Sequence, residues 1–183
     1  MPAGWAADDI AIMVASISAT GTSPVPPSFQ AVDPTGGTKI DESGTSSGSR
    51  ANRGAWYWRR LQAGDAAPNL QMQNDGTGTA FCIQAAIAAY SGCITTGDPW
   101  DVKGVATAAA SAISVASITT TVADTLVILA VAIGNNVAIG SQSTTSPGAL
   151  TERFDLLTST GSDSAVSAAD AAKAGTGATG AGT

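Results

Sequence analysis

Two pairs of carboxylates are the residues of this chain whose types and spacing suggest chemistry. Asp8 and Asp9 directly precede an apolar run, and Asp98 and Asp101 lie in the segment GDPWD. Hydrolysis of a glycosidic bond needs two carboxylates held about 5–9.5 Å apart across the substrate, whereas neighbours in a strand point to opposite faces. The second pair lacks the regular spacing of a calcium-binding EF-hand loop. We therefore interpret both pairs as turn or strand-entry residues, with cation binding as the alternative for each and catalysis as a further alternative for the first.

The sequence contains no histidine, and this absence restricts the possible chemistry. It removes Ser-His-Asp and Cys-His catalysis and every metal site that depends on imidazole. We therefore predict that the chain is not an enzyme, with no catalytic residue, no cofactor and no metal. Cys82 lies inside an apolar run and is interpreted as a buried free thiol, while Cys93 follows a Ser-Gly turn. The sequence leaves open whether these two thiols pair.

A basic, aromatic segment is the second candidate site. Four of the eight basic residues lie between positions 50 and 60, and arginine beside tryptophan is common at protein interfaces. We predict contact with a partner protein here and at a proline-rich loop; pairing with the chain's own acids and binding of nucleic acid are the alternatives. The predicted interface residues are Pro24, Pro26, Pro27, Arg50, Arg53, Arg59 and Arg60.

The aromatic residues of the same segment allow two interpretations. Trp56 and Trp58 share one face of a predicted strand. A pair of indole rings on one face can stack on a sugar, but packing in a protein core is the more frequent role. We favour core packing and keep carbohydrate binding as the alternative.

The composition sets the class of protein. The chain has 183 residues, enough for one domain, with 44% apolar and only 12% charged residues. Its net charge of −6 argues against nucleic acid and against an anionic membrane as partners, since both require Lys and Arg. No secretory signal is recognised, and the longest apolar run is too short to span a bilayer. We therefore expect a soluble protein made in the cytoplasm.

Alternating apolar residues and turn signals predict a chain built from strands. We place a turn at NDGTG and loops over 20–37, 41–54 and 141–148, the second of them polar and mobile. The strands are predicted at 9–18, 55–61, 79–92, the second half of 105–118, 119–134 and 149–161. Ser167 and Asp170 match a capping box for a short helix. The fold is predicted to be all-β, an antiparallel β-sandwich or jelly roll over residues 1–174, followed by a Gly/Thr-rich tail at 175–183.

Two segments of the chain are similar in sequence. Residues 7–17 and 123–133 align without gaps, and each opens with Ala-Asp before an apolar run. Aspartate suits such corners because its carboxylate accepts hydrogen bonds from nearby backbone N–H groups. The alignment predicts that Asp8 and Asp124 are equivalent corner residues and that Asp9 is an exposed neighbour. A similar corner of small residues and one aspartate is found at 61–68.

The order of these motifs resembles a group of small β-sandwich proteins encoded in tailed-bacteriophage genomes. The shared features are an opening turn and core strand, an aliphatic strand ending in Tyr-x-Gly, a second strand that follows an aspartate, and a Gly/Thr-rich stretch. They fall at Pro2, Gly4 and Asp8, at Tyr90 and Gly92, at Asp124 to Leu129, and at 175–183. The sequence departs from the pattern by beginning inside the first turn and by ending in the Gly/Thr stretch, where an earlier and a closing strand are expected.

The resemblance implies a structural role in the virion. It points first to a capsid decoration (cement) protein, made in the host cytoplasm, that binds the major capsid protein and further copies of itself as a homo-oligomer. Head-fibre and tail proteins belong to the same group. The alternative function is a carbohydrate-binding module on a tail or head fibre, which would hold a glycan through Trp and Asp residues.

Overall fold

The computed structural model describes residues 1–20, 37–47, 50–68, 81–108 and 113–183, and within them every regular element is a strand. No described residue belongs to a helix that is long and apolar enough to cross a membrane. The strands are β1 Ile10–Thr20, β2 Thr38–Ser47, β3 Arg50–Arg60, β4 Phe81–Tyr90, β5 Thr119–Thr120, β6 Thr125–Ile133, β7 Thr151–Thr158, β8 Ser164–Lys173 and β9 Gly177–Ala178. All their pairings are antiparallel.

The first sheet has the order β2-β3-β1-β4, with β1 hydrogen-bonded to β3 on one side and to β4 on the other. The predicted alternation along β1 explains why it occupies this central position. Val14 packs in one apolar cluster, while Met13 and Ile17 pack in a second cluster on the opposite face. A strand that is apolar on both sides is stable only when both faces are covered.

The second sheet has the order β6-β8-β7 and contacts the first sheet through all three of its strands, with β8 against β1 and β4. Val14 of β1 and Val166 of β8 lie in one buried cluster, and the hydroxyls of Ser16 and Ser164 are 2.9 Å apart. The two sheets thus share a core. The prediction of an all-β fold with antiparallel sheets is confirmed, while the more specific sandwich or jelly-roll class stays a prediction.

Of the polar segment 41–54, predicted as a mobile loop, residues 41–47 and 50–54 lie in β2 and β3, so for these residues the prediction was wrong. Its composition favours coil locally, but β3 pairs with β1 over the full length of that strand. Asn52 adds side-chain bonds across this ladder, donating to Ser16 Oγ at 2.8 Å and to Ser18 Oγ at 3.0 Å. Pairing with a buried neighbour therefore outweighs the low strand propensity of Gly, Ser and Asn.

The predicted short helix around Ser167 and Asp170 was also wrong, because these residues lie in β8. Alanine favours helix in isolation, but β8 is paired on both sides, and its first seven residues are all buried. The small side chains let neighbouring layers approach β8 on both faces. The central position of the strand, which the local sequence does not reveal, decides its structure.

Residues 175–183, predicted as a tail, pack on the outer face of the second sheet. β9 pairs with β5, and Gly182 exchanges two backbone hydrogen bonds with Val115, each 2.9 Å long. Thr179 and Gly182 are buried, and a Cβ on Gly182 would lie 3.4 Å from Leu129. The strand predicted for the second half of 105–118 is limited, in its described part, to the single bridge at Val115.

Candidate functional site

The two aligned segments, 7–17 and 123–133, have the same backbone conformation at their aspartates. Asp8 has φ 72° and Asp124 has φ 54°, both in the left-handed region, where Asp and Asn are enriched. Each donates its backbone N–H to a carbonyl at 2.9 Å, Asp8 to Leu61 and Asp124 to Ala174. These two residues are therefore corners at the start of β1 and β6.

Asp9 is not the exposed neighbour that the alignment predicted, since it is only 9% exposed. Its Oδ2 accepts a hydrogen bond from Ala6 N at 2.8 Å, which turns the side chain back over the corner. Asp8 is the exposed member of the pair. The two carboxylates thus separate, as the turn interpretation requires, and Asp9 serves to close the turn.

The third predicted corner repeats the turn at 6–9. Asp65 Oδ2 accepts from Gln62 N at 2.9 Å, and Gly64 has the positive φ, 89°, that Asp8 has in the first turn. Asp65 also accepts two hydrogen bonds from Arg59, one of them from Nε at 2.7 Å. The Arg59 guanidinium, and then the Gln62 N–H, lower the pKa of Asp65 to about 2. Arg59 is thus paired with one of the chain's own acids.

Asp65→Asn is expected to remove a contribution to stability that depends on pH. Because the folded pKa is lowered from 3.8 to about 2, the contribution is full above pH 3.8 and is lost as the pH falls towards 2. Denaturant midpoints of the wild type and the variant should differ by a constant amount between pH 5 and 7 and converge between about pH 4 and 2. Arg59→Gln should remove the same pH-dependent contribution to stability. A difference that stays constant down to pH 2 would contradict this assignment.

Arg60 fixes a loop to the end of β3. Its guanidinium donates to the backbone carbonyls of Ile94 and Gly97, the second at 3.0 Å. Arg53 also takes part in an interaction within the protein. The side chain of Arg50 and the residues Pro24, Pro26 and Pro27 lie outside the described part, so their predicted interface role stays a prediction. Arg59 and Arg60 hold the protein's own turns.

Asp101 holds the segment that precedes β6, at the same end of the sheets as Arg60. Its carboxylate accepts hydrogen bonds from Thr121 N at 2.6 Å, from Thr121 Oγ1 and from Val122 N at 3.1 Å. These donors lower the pKa of Asp101, with the Thr121 side chain as the largest cause. Within the described residues, no three acidic or thiol side chains form a group that could hold a metal ion.

The Trp56–Trp58 face is directed towards the second sheet. Trp56 packs against the cluster formed by Val14 and Val166, as the core interpretation predicts. The Trp58 ring meets Trp100 edge to face, with centroids 5.5 Å apart and an interplanar angle of 85°. Trp58 is half-buried. The pair therefore contributes to packing within the fold, and nothing in this geometry favours a sugar platform.

Asp170, predicted only as part of a helix-capping box, is the most buried charge among the described residues, at 1% exposure. Both of its oxygens accept from Arg153, from Nε and from Nη2, at 2.6 Å each. These hydrogen bonds raise the pKa of Arg153. The hydroxyl of Tyr90 is buried beside them, and burial, followed by the charge of Asp170, raises the pKa of Tyr90. A single acid within an alanine-rich strand was the available signal, because such a charge needs a partner.

Both cysteines are free thiols, and Cys82 is buried, as predicted. Burial, and next the charge of Asp163, raises the pKa of Cys82; burial, and next Asp9, raises that of Cys93. Since the thiolate is the reactive form, both thiols should react slowly with Ellman's reagent in the folded protein. Cys82 should be labelled only after unfolding, and half-buried Cys93 should be labelled first. The variants Cys82→Ala and Cys93→Ala show which cysteine accounts for each labelling step. Fast labelling of Cys82 in the folded protein would contradict the structure.

Three of the most exposed large apolar side chains lie in connections at the end of the sheets where Arg60 and Asp101 are found. They are Ile94 at 57% and Val122 at 56% exposure, on segments that Arg60 and Asp101 hold, and Val105 at 55%, four residues after Asp101; we call these three residues the loop-end patch. Gly104, the neighbour of Val105, lies against Ile118. Arg60 and Asp101 thus position loops that present apolar side chains. Both of these charged groups bind within the protein, while the apolar side chains are exposed.

The side formed by β4 and β7 carries a second set of exposed apolar residues. Ile83 of β4 and Leu156 and Leu157 of β7 are 43–47% exposed. Sequence reasoning identified the strands but not this surface, which depends on how the two sheets are aligned. The resemblance to bacteriophage virion proteins stays a prediction. No protein-family model, curated protein or solved structure matches this chain.

Proposed function

We propose that this chain is a structural protein of a virus particle, a capsid decoration protein that binds the major capsid protein and stabilises the head. The observation that carries the proposal is the loop-end patch, where Ile94, Val105 and Val122 are each more than half exposed. Full burial of such a side chain is worth about 1.5–3 kcal/mol. A partner that buries these side chains would gain part of a specific binding energy.

The fixing of the loops supports the same function. Arg60 binds the carbonyls of Ile94 and Gly97, and Asp101 binds Thr121 and Val122. Loops that are already held in place lose little conformational entropy on docking, which favours binding. Loops on a rigid scaffold are also where proteins commonly place their binding residues.

The composition fits a protein that stays in contact with other protein. Only 12% of the residues are charged, so burying its surface desolvates few charges. The order of the sequence motifs, which resembles that of small virion proteins, is the reason for proposing the capsid as the partner. A decoration protein stabilises the head by mass action, because binding that requires the assembled capsid shifts the equilibrium towards assembly. At a free concentration 100 times Kd this amounts to about 2.7 kcal/mol per site.

The test is recovery of the chain on particles grown from the genome that encodes it. Mass spectrometry of separated heads and tails should find the chain on heads, in stoichiometric ratio to the major capsid protein. Recovery in the tail fraction alone, or on neither fraction, would overturn the proposal. Heads that lack the chain should also disassemble at a lower temperature than complete heads. Adding the purified protein should restore the original disassembly temperature.

Variants of the loop-end patch test the surface itself. Val105→Lys combined with Val122→Lys should abolish binding to such heads, since lysine in a buried apolar contact carries an unpaired charge. Val137→Lys is the matched control, because Val137 is 48% exposed and follows the far end of β6. Equal binding by the patch variant and the control would overturn the assignment of this surface.

A further inference from the structure

The two edges of the first sheet differ in a way that bears on self-association. At the β2 edge, Lys39 and Asp41 flank a register shift, and Lys103 covers the strand, donating to Ile40 O at 2.5 Å and lying 3.3 Å from Asp41. Charges, bulges and covering side chains are the devices that prevent edge strands from pairing with another chain. The β2 edge is therefore protected.

The β4 edge has none of these devices. Phe81–Tyr90 contains no charged residue, no proline and no glycine, and its register with β1 runs without a shift from Ala19 to Ile10. Among the described residues β4 pairs with β1 alone. A straight, uncharged edge of ten residues is a template for one further strand.

β4 also differs from the edge strands of the second sheet. β7 carries charges and a register shift between Glu152 and Phe154. β6 is uncharged, but every one of its residues after Leu126 is buried or half-buried. On β4, by contrast, Ile83 and Ala85 are exposed on the face that points away from the second sheet. β4 thus exposes apolar side chains in the middle of an uncharged edge, whereas the exposed apolar residue of β6, Leu126, lies near the start of that strand.

We propose that a second copy of this chain pairs with β4, so that two β4 strands run antiparallel about a twofold axis centred on Ala85. A twofold axis perpendicular to the sheet keeps each face on the same side, which requires that directly opposed residues have numbers of the same parity. Centring on Ala85 then places Ile83 of each copy opposite Ile87 of the other. Such cross-strand aliphatic pairs are the unit of sheet stabilisation.

The position of β7 fits this axis. Gln84 pairs with Ser16 of β1, whose hydroxyl contacts Ser164 of β8, and Ser164 pairs with Thr158 of β7. Leu157, beside Thr158, therefore lies level with the proposed axis. Leu156 opposes Val166 and points towards the first sheet, so extending that sheet past β4 would cover it. The dimer does not depend on the capsid, so it stands or falls separately from the proposed function.

The first test is the mass of the purified protein by analytical ultracentrifugation from about 1 to 500 µM. We expect a dimer whose dissociation constant rises at least 100-fold in Ile83→Lys, because two lysines would enter the interface opposite Ile87. Val137→Lys, at a similar exposure away from both edges, should leave the dimer unchanged. A monomer throughout this range, or a dimer that Ile83→Lys does not weaken, would overturn the proposal.

The second test fixes the register and does not rely on charge. In a Cys82→Ala, Cys93→Ala background, Ala85→Cys should form a disulfide-linked dimer under mild oxidation, since directly opposed Cβ atoms are about 4.5–5.5 Å apart. Ile87→Cys is the control, because the two 87 positions would be offset by four residues, about 13 Å along the strand. Linkage through position 87 rather than 85 would overturn the proposed register, and linkage through neither would overturn the pairing.

Discussion

Arg153→Ala is expected to lower the free energy of unfolding by about 3 kcal/mol and the Tm by about 6–12 °C. Asp170 is 1% exposed and both of its oxygens accept hydrogen bonds from Arg153. Without the guanidinium a carboxylate stays buried with no cation, and such losses cost about 3–5 kcal/mol. The Arg153 side chain is 46% exposed, so water can enter after truncation and keeps the loss at the lower end. Denaturant and thermal unfolding at pH 7 measure the effect.

Two controls distinguish the cost of leaving Asp170 buried without its partner from the cost of removing any partly exposed arginine. Arg59→Ala removes an ion pair with Asp65, a more exposed acid, and should cost much less. Adding Asp170→Ala to Arg153→Ala should recover part of the stability, because it removes the isolated charge. If Arg153→Ala and Arg59→Ala cost the same, the Asp170 carboxylate does not depend on Arg153 for its burial.

The strands that the sequence predicted correctly are those with bulky alternating side chains. β1, β4 and β6 carry Ile, Val, Leu or Phe in runs bounded by turn residues, and their own composition is sufficient to predict them. β8 consists mostly of Ala and Ser, and the first half of β3 consists of Arg, Ala, Asn and Gly, a composition that favours strand only weakly. Their conformation comes from neighbours on both sides. A single sequence does not reveal which strands will flank them.

The same limit applies to the candidate site. The sequence singled out Arg59, Arg60 and Asp101 by type and spacing, and the structure gives each an internal partner that holds a turn or loop. Asp65, six residues from Arg59, was within reach of sequence reasoning because it belongs to a recognised corner. The pairing of Asp170 with Arg153 could not be predicted, since their contact depends on the register of β7 against β8. The exposed apolar surfaces depend on both sheets together.

Removal of residues 176–183 is expected to have the second large effect. We predict that it lowers the free energy of unfolding by about 4 kcal/mol or more. The segment supplies the strand β9 and backbone hydrogen bonds to Val115, Ile118, Ser143 and Ser146. Six such bonds join the segment to these four residues, and at a net value of about 0.5–1.5 kcal/mol each they support a destabilisation of this size before any apolar burial is counted. The truncation also uncovers Leu129, which lies beside Gly182. Thermal unfolding and hydrogen exchange of the 140–150 region measure the loss.

A pair of glycine substitutions tests the same packing without shortening the chain. Gly180 has φ 71°, and a Cβ there would lie 2.2 Å from Thr145 Oγ1, so Gly180→Ala combines backbone strain with a steric clash. Gly175→Ala is the control, since no atom lies within 4 Å of its added Cβ. We expect Gly180→Ala to reproduce much of the loss seen on truncation, and Gly175→Ala to have little effect. If truncation left the Tm unchanged, 175–183 would act as the tail that its Gly/Thr-rich composition suggests, and the cover of the second sheet would have to come from other segments.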